Sequence, residues 1–121
     1  MNREALARIA KKHRADLIIL FGSRARGTAR SDSDVDVCVV APNLRGDELD
    51  LQARLSEVLG GDVDLVRFER SGTVLRFHAV FPGRLLWGTP AAFRRLRLRV
   101  LKDWQDARTL DDALTESLRR P

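Results

Sequence analysis

Four aspartates fall in two short alternating runs, Asp34-Val35-Asp36 and Asp62-Val63-Asp64. On a strand, residues two apart point to the same face, so each run projects its two carboxylates together. Like charges that close repel unless a cation lies between them. Hard oxygen ligands of this kind suit Mg²⁺ or Mn²⁺. If the two strands are neighbours, an acid of the second run joins Asp34 and Asp36. Three carboxylates on a sheet can hold two ions about 3.5–4 Å apart, which clamp the attacking and leaving oxygens of a phosphoryl displacement.

A second group of residues suits the phosphate itself. Gly22-Ser23 stands where an apolar run ends. Glycine lets a phosphate approach the backbone closely, a helix starting there aims free N–H groups at it, and the Ser hydroxyl adds a donor. Arg24, Arg26 and Arg30 add positive charge along the same stretch. Each part alone is common; order and spacing give them weight.

The elements that must position these residues read as an α/β domain. Residues 3–13 carry Leu6, Ile9 and Ala10 at helical spacing, with His13 a packing or capping residue on the same face. Residues 16–21 form a short buried strand, and 22–33 a Gly-, Ser- and Arg-rich loop with a helical turn at its start. Residues 34–41 and 62–67 are strands, whose mutual direction the spacing leaves open. Between them, residues 47–59 form a helix with the stripe Leu51, Leu55, Val58 and Leu59, stopped by Gly60-Gly61. A short helix over 72–80 has Ser71 as its cap, and 84–87 is an edge strand. Thr89-Pro90 opens a helix that runs to about residue 108, lined by Phe93, Leu96, Val100, Trp104 and Ala107. Residues 111–119 form a separate last helix. Strands alternating with helices give a small sheet flanked by helices.

Composition narrows the function classes. At 121 residues, 44% hydrophobic and 32% charged, the chain fits a single domain over 1–121. No apolar run reaches the roughly 18 residues of a bilayer span, and the charged N-terminus lacks a signal peptide's apolar stretch. A cytoplasmic location is the expectation, and no membrane partner. The one cysteine, Cys38, cannot pair within the chain and reads as a small core residue. From Arg70 to Lys102 the chain carries eight basic residues and no acidic one. Such a stretch could meet nucleic acid, an acidic partner or nucleotide phosphates. Without aromatic interleaving, direct nucleic-acid binding is not expected.

The run Gly22–Asp36, GSRARGTARSDSDVD, resembles the signature of the DNA polymerase β-like nucleotidyltransferases: Gly-Ser, ten residues, then Asp-x-Asp. The size, the RLLWG segment and the terminal helix look like the minimal nucleotidyltransferases of that superfamily. The resemblance implies a polymerase β-like fold and transfer of a nucleotide from ATP. It implies that Asp34 and Asp36 bind two Mg²⁺ ions, Mn²⁺ being an alternative. The family's third carboxylate stands between apolar residues, which Val63-Asp64-Leu65 matches better than Gly61-Asp62-Val63, so that role passes to Asp64. Gly22, Ser23 and Arg24 would hold the ATP phosphates. Many minimal nucleotidyltransferases are similar to antitoxins that attach AMP to a tyrosine of a HEPN-type toxin ribonuclease, which makes such a toxin the expected partner. The alternatives are a nucleotidyltransferase for another acceptor, a small molecule or RNA, and an antitoxin that acts by binding alone.

Overall fold

The computed structural model describes residues 1–27 and 34–119. Its elements are α1 (Arg3–His13), β1 (Leu17–Phe21), α2 (Gly22–Arg26), β2 (Val35–Val40), α3 (Glu48–Leu59), β3 (Val63–Arg67), a 3-10 turn (Phe68–Arg70), α4 (Thr73–Val80), β4 (Arg84–Trp87) and α5 (Pro90–Arg119). The second half of the expected loop, residues 28–33 with Arg30, lies outside the described residues.

The four strands form one mixed sheet in the order β3-β2-β1-β4. β1 runs antiparallel to β2 and β4, while β2 and β3 are parallel. That settles the direction the spacing left open: α3 is the crossover that a parallel pair needs. The alternation in β2 divides the core. Val35, Val37 and Val39 pack with α1 and α3 around Leu6, Ile9, Leu51 and Leu55. Cys38 points the other way, among Leu17, Ile19, Ala79, Val80, Phe93, Leu96 and Val100 under α4 and α5. Asp36, two residues before Cys38, therefore shares the α4/α5 face. Burial pushes the Cys38 thiol up to about 12, as suits an inert core residue.

Local devices hold this frame. Asp47 caps α3 by accepting from Leu49 N–H at 2.9 Å. Thr89 Oγ1 accepts from Ala92 N–H at 3.1 Å, and Pro90 takes the first helical position behind it. Buried His13 sits 2.9 Å (Nδ1) from the Arg45 carbonyl and 3.4 Å (Nε2) from Asp50, tying the end of α1 to the start of α3.

Two expectations fail. Ser71 does not cap α4: its hydroxyl donates back to the Arg67 carbonyl at 2.8 Å, and Gly72 holds the cap position. Nor does the last helix break near residue 108; α5 runs unbroken for 30 residues. Neither Gly nor Pro interrupts 91–119, and Thr109, just before the expected last helix, donates its hydroxyl to the Gln105 carbonyl one turn back at 3.0 Å.

Candidate active site

The parallel register of β2 and β3 places Asp36 directly beside Asp64, and Val35 beside Val63. Asp34 stands one residue ahead of β2, two before Asp36, so it projects from the same face. Asp34 and Asp64 are exposed and Asp36 is half-buried. The consequence is electrostatic: the Asp36 carboxyl is raised above its ordinary range by burial first, then by the charges of Asp64 and Asp34. These two are the acids that act on it. Asp62 instead contributes its backbone, its carbonyl accepting from Val35 N–H at 2.8 Å where the β2–β3 ladder opens.

Gly22 completes the arrangement from the other side. β1 pairs with β2 so that Phe21 lies opposite Asp36, and the chain turns into α2 at the next residue. Gly22 does so with φ +73, a conformation that suits glycine. A Cβ there would strike Asp36 Oδ2 and come within 3.1 Å of its Cγ. Backbone and carboxylate thus meet at van der Waals contact. The Gly and the second Asp of the motif are spatial neighbours because adjacent antiparallel strands carry them.

Two arginines of this stretch stand in different surroundings. Arg24 is half-buried, with its guanidinium against the Gly60-Gly61 turn; a Cβ on Gly61 would lie 3.3 Å from its Nη2. Arg26, which is exposed, is the cation that lowers the Asp36 carboxyl against the acids that raise it. Sequence reasoning counted Arg26 only as loop charge. One turn of α2 puts it there; the turn was expected at the start of the loop, but not which of its side chains meets the acids.

The donor set fits hard divalent cations. Three carboxylates on one face of a sheet, with one of them raised by burial and then by its neighbours, form the arrangement such ions neutralise. Among the described residues no three acid, histidine or cysteine side chains are closed into a finished ligand cluster.

Comparison with known proteins agrees with this geometry. Residues 4–91 match the family described as polymerase beta, nucleotidyltransferase. A protein adenylyltransferase, MntA of Shewanella oneidensis, is 40% identical over 75 residues, which make up 60% of this chain and 54% of that protein. The match thus spans about half the length of that relative. A chain from the crystal structure of a toxin–antitoxin with AMP-PNP superposes with a TM-score of 0.76 at 27% identity, covering 99% of this chain and 100% of the other. A chain from the complex of a tri-AMPylated Shewanella oneidensis HEPN toxin with an MNT antitoxin gives a TM-score of 0.68 at 24% identity, covering 98% and 96%; at that identity the likeness is one of fold. With the motif, the four-stranded sheet and the family match in agreement, the chain belongs to the polymerase β nucleotidyltransferase family.

Proposed function

We propose that this chain is a protein adenylyltransferase antitoxin, which transfers AMP from ATP to a tyrosine hydroxyl of a HEPN-type toxin and so neutralises it. The observation that carries the reading is the β2–β3 register, which sets Asp64 beside Asp36 while Gly22 closes on the same carboxylate. The AMP-PNP of one structural neighbour and the activity named for the Shewanella relative support ATP as donor and a protein as acceptor.

Asp34 and Asp36 would hold two Mg²⁺ ions, with Asp64 a ligand of the catalytic one. Bound there, the ions supply charge neutralisation for the phosphates and lower the pKa of an acceptor hydroxyl. The chain's own residues orient and discharge. Gly22 offers backbone unobstructed by a side chain, and Ser23 a hydroxyl, to the β- and γ-phosphates. Arg24 and Arg26 add positive charge beside the leaving pyrophosphate. Asp64, exposed at the rim, faces the incoming hydroxyl and draws its proton as the oxygen–phosphorus bond forms at the α-phosphate and the bond to pyrophosphate breaks. Catalysis of this kind is positioning and electrostatics.

The sequence contains no tyrosine, so a tyrosine acceptor must come from another chain. A phenol, with a pKa near 10, is deprotonated far more readily than an aliphatic alcohol. AMP on a nuclease surface adds bulk and negative charge, which oppose a phosphate backbone. Intact-mass spectrometry of this protein with ATP, Mg²⁺ and a HEPN-type toxin tests the reading. The toxin is expected to gain one AMP unit or a multiple, with the gain lost in Asp36→Asn. An unmodified but fully inhibited toxin would establish action by binding alone.

A further inference from the structure

Helix α5 is longer than the body it packs on. Thirty residues extend about 45 Å. Phe93, Leu96 and Val100 are buried in the α4/α5 core, and Trp104 stacks on Phe77 of α4 at 4.1 Å. The same stripe then continues at helical spacing as Leu110, Leu114 and Leu118, which are 61%, 55% and 87% exposed. α4 runs antiparallel to α5, since Arg97 of α5 bonds the Phe81 carbonyl while Trp104 meets Phe77. That direction carries Val74, 62% exposed at the start of α4, toward the base of the overhang.

Three observations say what covers the stripe. First, the family match ends at residue 91, in the first turn of α5, yet the chain from the toxin–antitoxin with AMP-PNP covers 99% of this one. The long helix is thus what this chain shares with a complex-forming chain beyond the family's common core. Second, the charge reverses along the helix. Arg94, Arg95, Arg99 and Lys102 are exposed on its first half, whereas Asp103, Asp106, Asp111 and Asp112 are exposed beyond them, with Arg108 an exposed base between them over Trp104. Third, the overhang flanks are themselves acidic, so two overhangs laid against each other would bring like charges together.

We infer that the overhanging half of α5 is a docking helix, whose Leu110-Leu114-Leu118 stripe and aspartate flanks seat in an apolar, lysine- and arginine-rimmed groove of the protein that accepts the nucleotide. This deepens the proposed function and rests on it for the identity of that protein. The recognition mode is helix-in-groove, with anchors at four-residue spacing and charge at the rim. A nuclease surface, basic because it meets phosphate, has the complementary charge. Docking outside the catalytic cleft lets the acceptor stay bound through successive transfers.

The test is isothermal titration of a purified HEPN-type toxin with wild-type chain and with Leu110→Glu/Leu114→Glu, alongside thermal melts and ATP titrations. Because both leucines are exposed, the melt and ATP affinity are expected to hold. Toxin affinity should fall at least about 100-fold from the loss of two buried anchors. The milder Leu110→Ser/Leu114→Ser, which keeps charge constant, should lose about 10-fold or more. Asp111→Lys/Asp112→Lys should weaken binding chiefly at low salt. Unchanged toxin affinity in both leucine variants overturns the inference, as does a wild-type dimer that these variants dissolve without affecting toxin binding. The two readings fail separately. Tight, leucine-dependent binding of a toxin that never gains AMP sinks the proposed activity and keeps the docking helix. AMP transfer that is indifferent to the leucines does the reverse.

Discussion

Asp36→Asn should make the metal-free protein more stable and the enzyme inactive. Adjacent strands lie about 4.8 Å apart, so the in-register Asp36 and Asp64 carboxylates interact at about 5 Å. Unit charges at that distance repel by about 0.8 kcal/mol in water and about 3 kcal/mol at an effective dielectric constant of 20. Solvent reaches these groups, so the lower figure governs; with Asp34 included, the relief comes to about 1–2 kcal/mol. For a domain of this size each kcal/mol moves the melting point by about 4 °C. The sign follows from the raised carboxyl. A folded-state pKa above the unfolded value near 4 means the native form binds the proton more tightly. Metal-free wild type therefore loses stability as pH rises from about 4 through that folded pKa, and then levels off. Asp36→Asn lacks this decline. Saturating Mg²⁺ with ATP reverses the order, since a ligand at 100 times its Kd adds about 2.7 kcal/mol to the form that binds it. The assay is a pair of melts, in EDTA and in Mg²⁺ with ATP, at pH 4.5 and 7.5. A variant that melts below wild type in EDTA at pH 7.5 refutes the electrostatic argument; one that transfers AMP normally refutes the site.

Asp64→Asn should abolish transfer and leave folding intact, while Asp62→Asn should retain activity; radiolabel transfer to the toxin decides, and the reverse outcome means Asp62 is the third acid. Gly22→Ala places a Cβ against Asp36 Oδ2 at positive φ, and should cost about 1–3 kcal/mol by backbone strain and crowding. Adding Asp36→Ala removes the crowding but not the strain, so equal melts for Gly22→Ala in both backgrounds would exclude the contact. Trp104→Ala removes the stack on Phe77 and the surface beneath Arg108; a loss of about 2–3 kcal/mol is expected by chemical denaturation, and a loss under 0.5 would show that this part of α5 is not anchored.

The acidic face was legible from strand periodicity. Residues two apart share a strand face, and the valines of VDVCVV had to face a core. The structure puts Val35, Val37 and Val39 under α1 and α3, with Asp36 and Cys38 on the opposite face. What spacing could not supply was the direction of β3, because alternating strands look the same in parallel and antiparallel pairs. A parallel pair sets Asp64, and not Asp62, opposite Asp36. The family resemblance chose the same acid from its apolar neighbours. The placement of Arg26 was hidden for a related reason: the helical turn was expected, but GSRAR carries no apolar stripe to say which of its side chains faces the acids.

The unbroken α5 teaches a different lesson. Thr109 and Asp111-Asp112 look like the start of a new helix when capping preference is read alone. Yet the leucines at 110, 114 and 118 keep the phase of Leu96, Val100 and Ala107, and a break would ordinarily reset that phase. A stripe that holds its phase beyond the end of its own core has two physical meanings: a helix that continues, and a surface that something else covers. The exposure of those leucines beside the burial of Leu96 and Val100 joins the two. The part of the chain least constrained by its own fold is therefore the part proposed to dock on a partner.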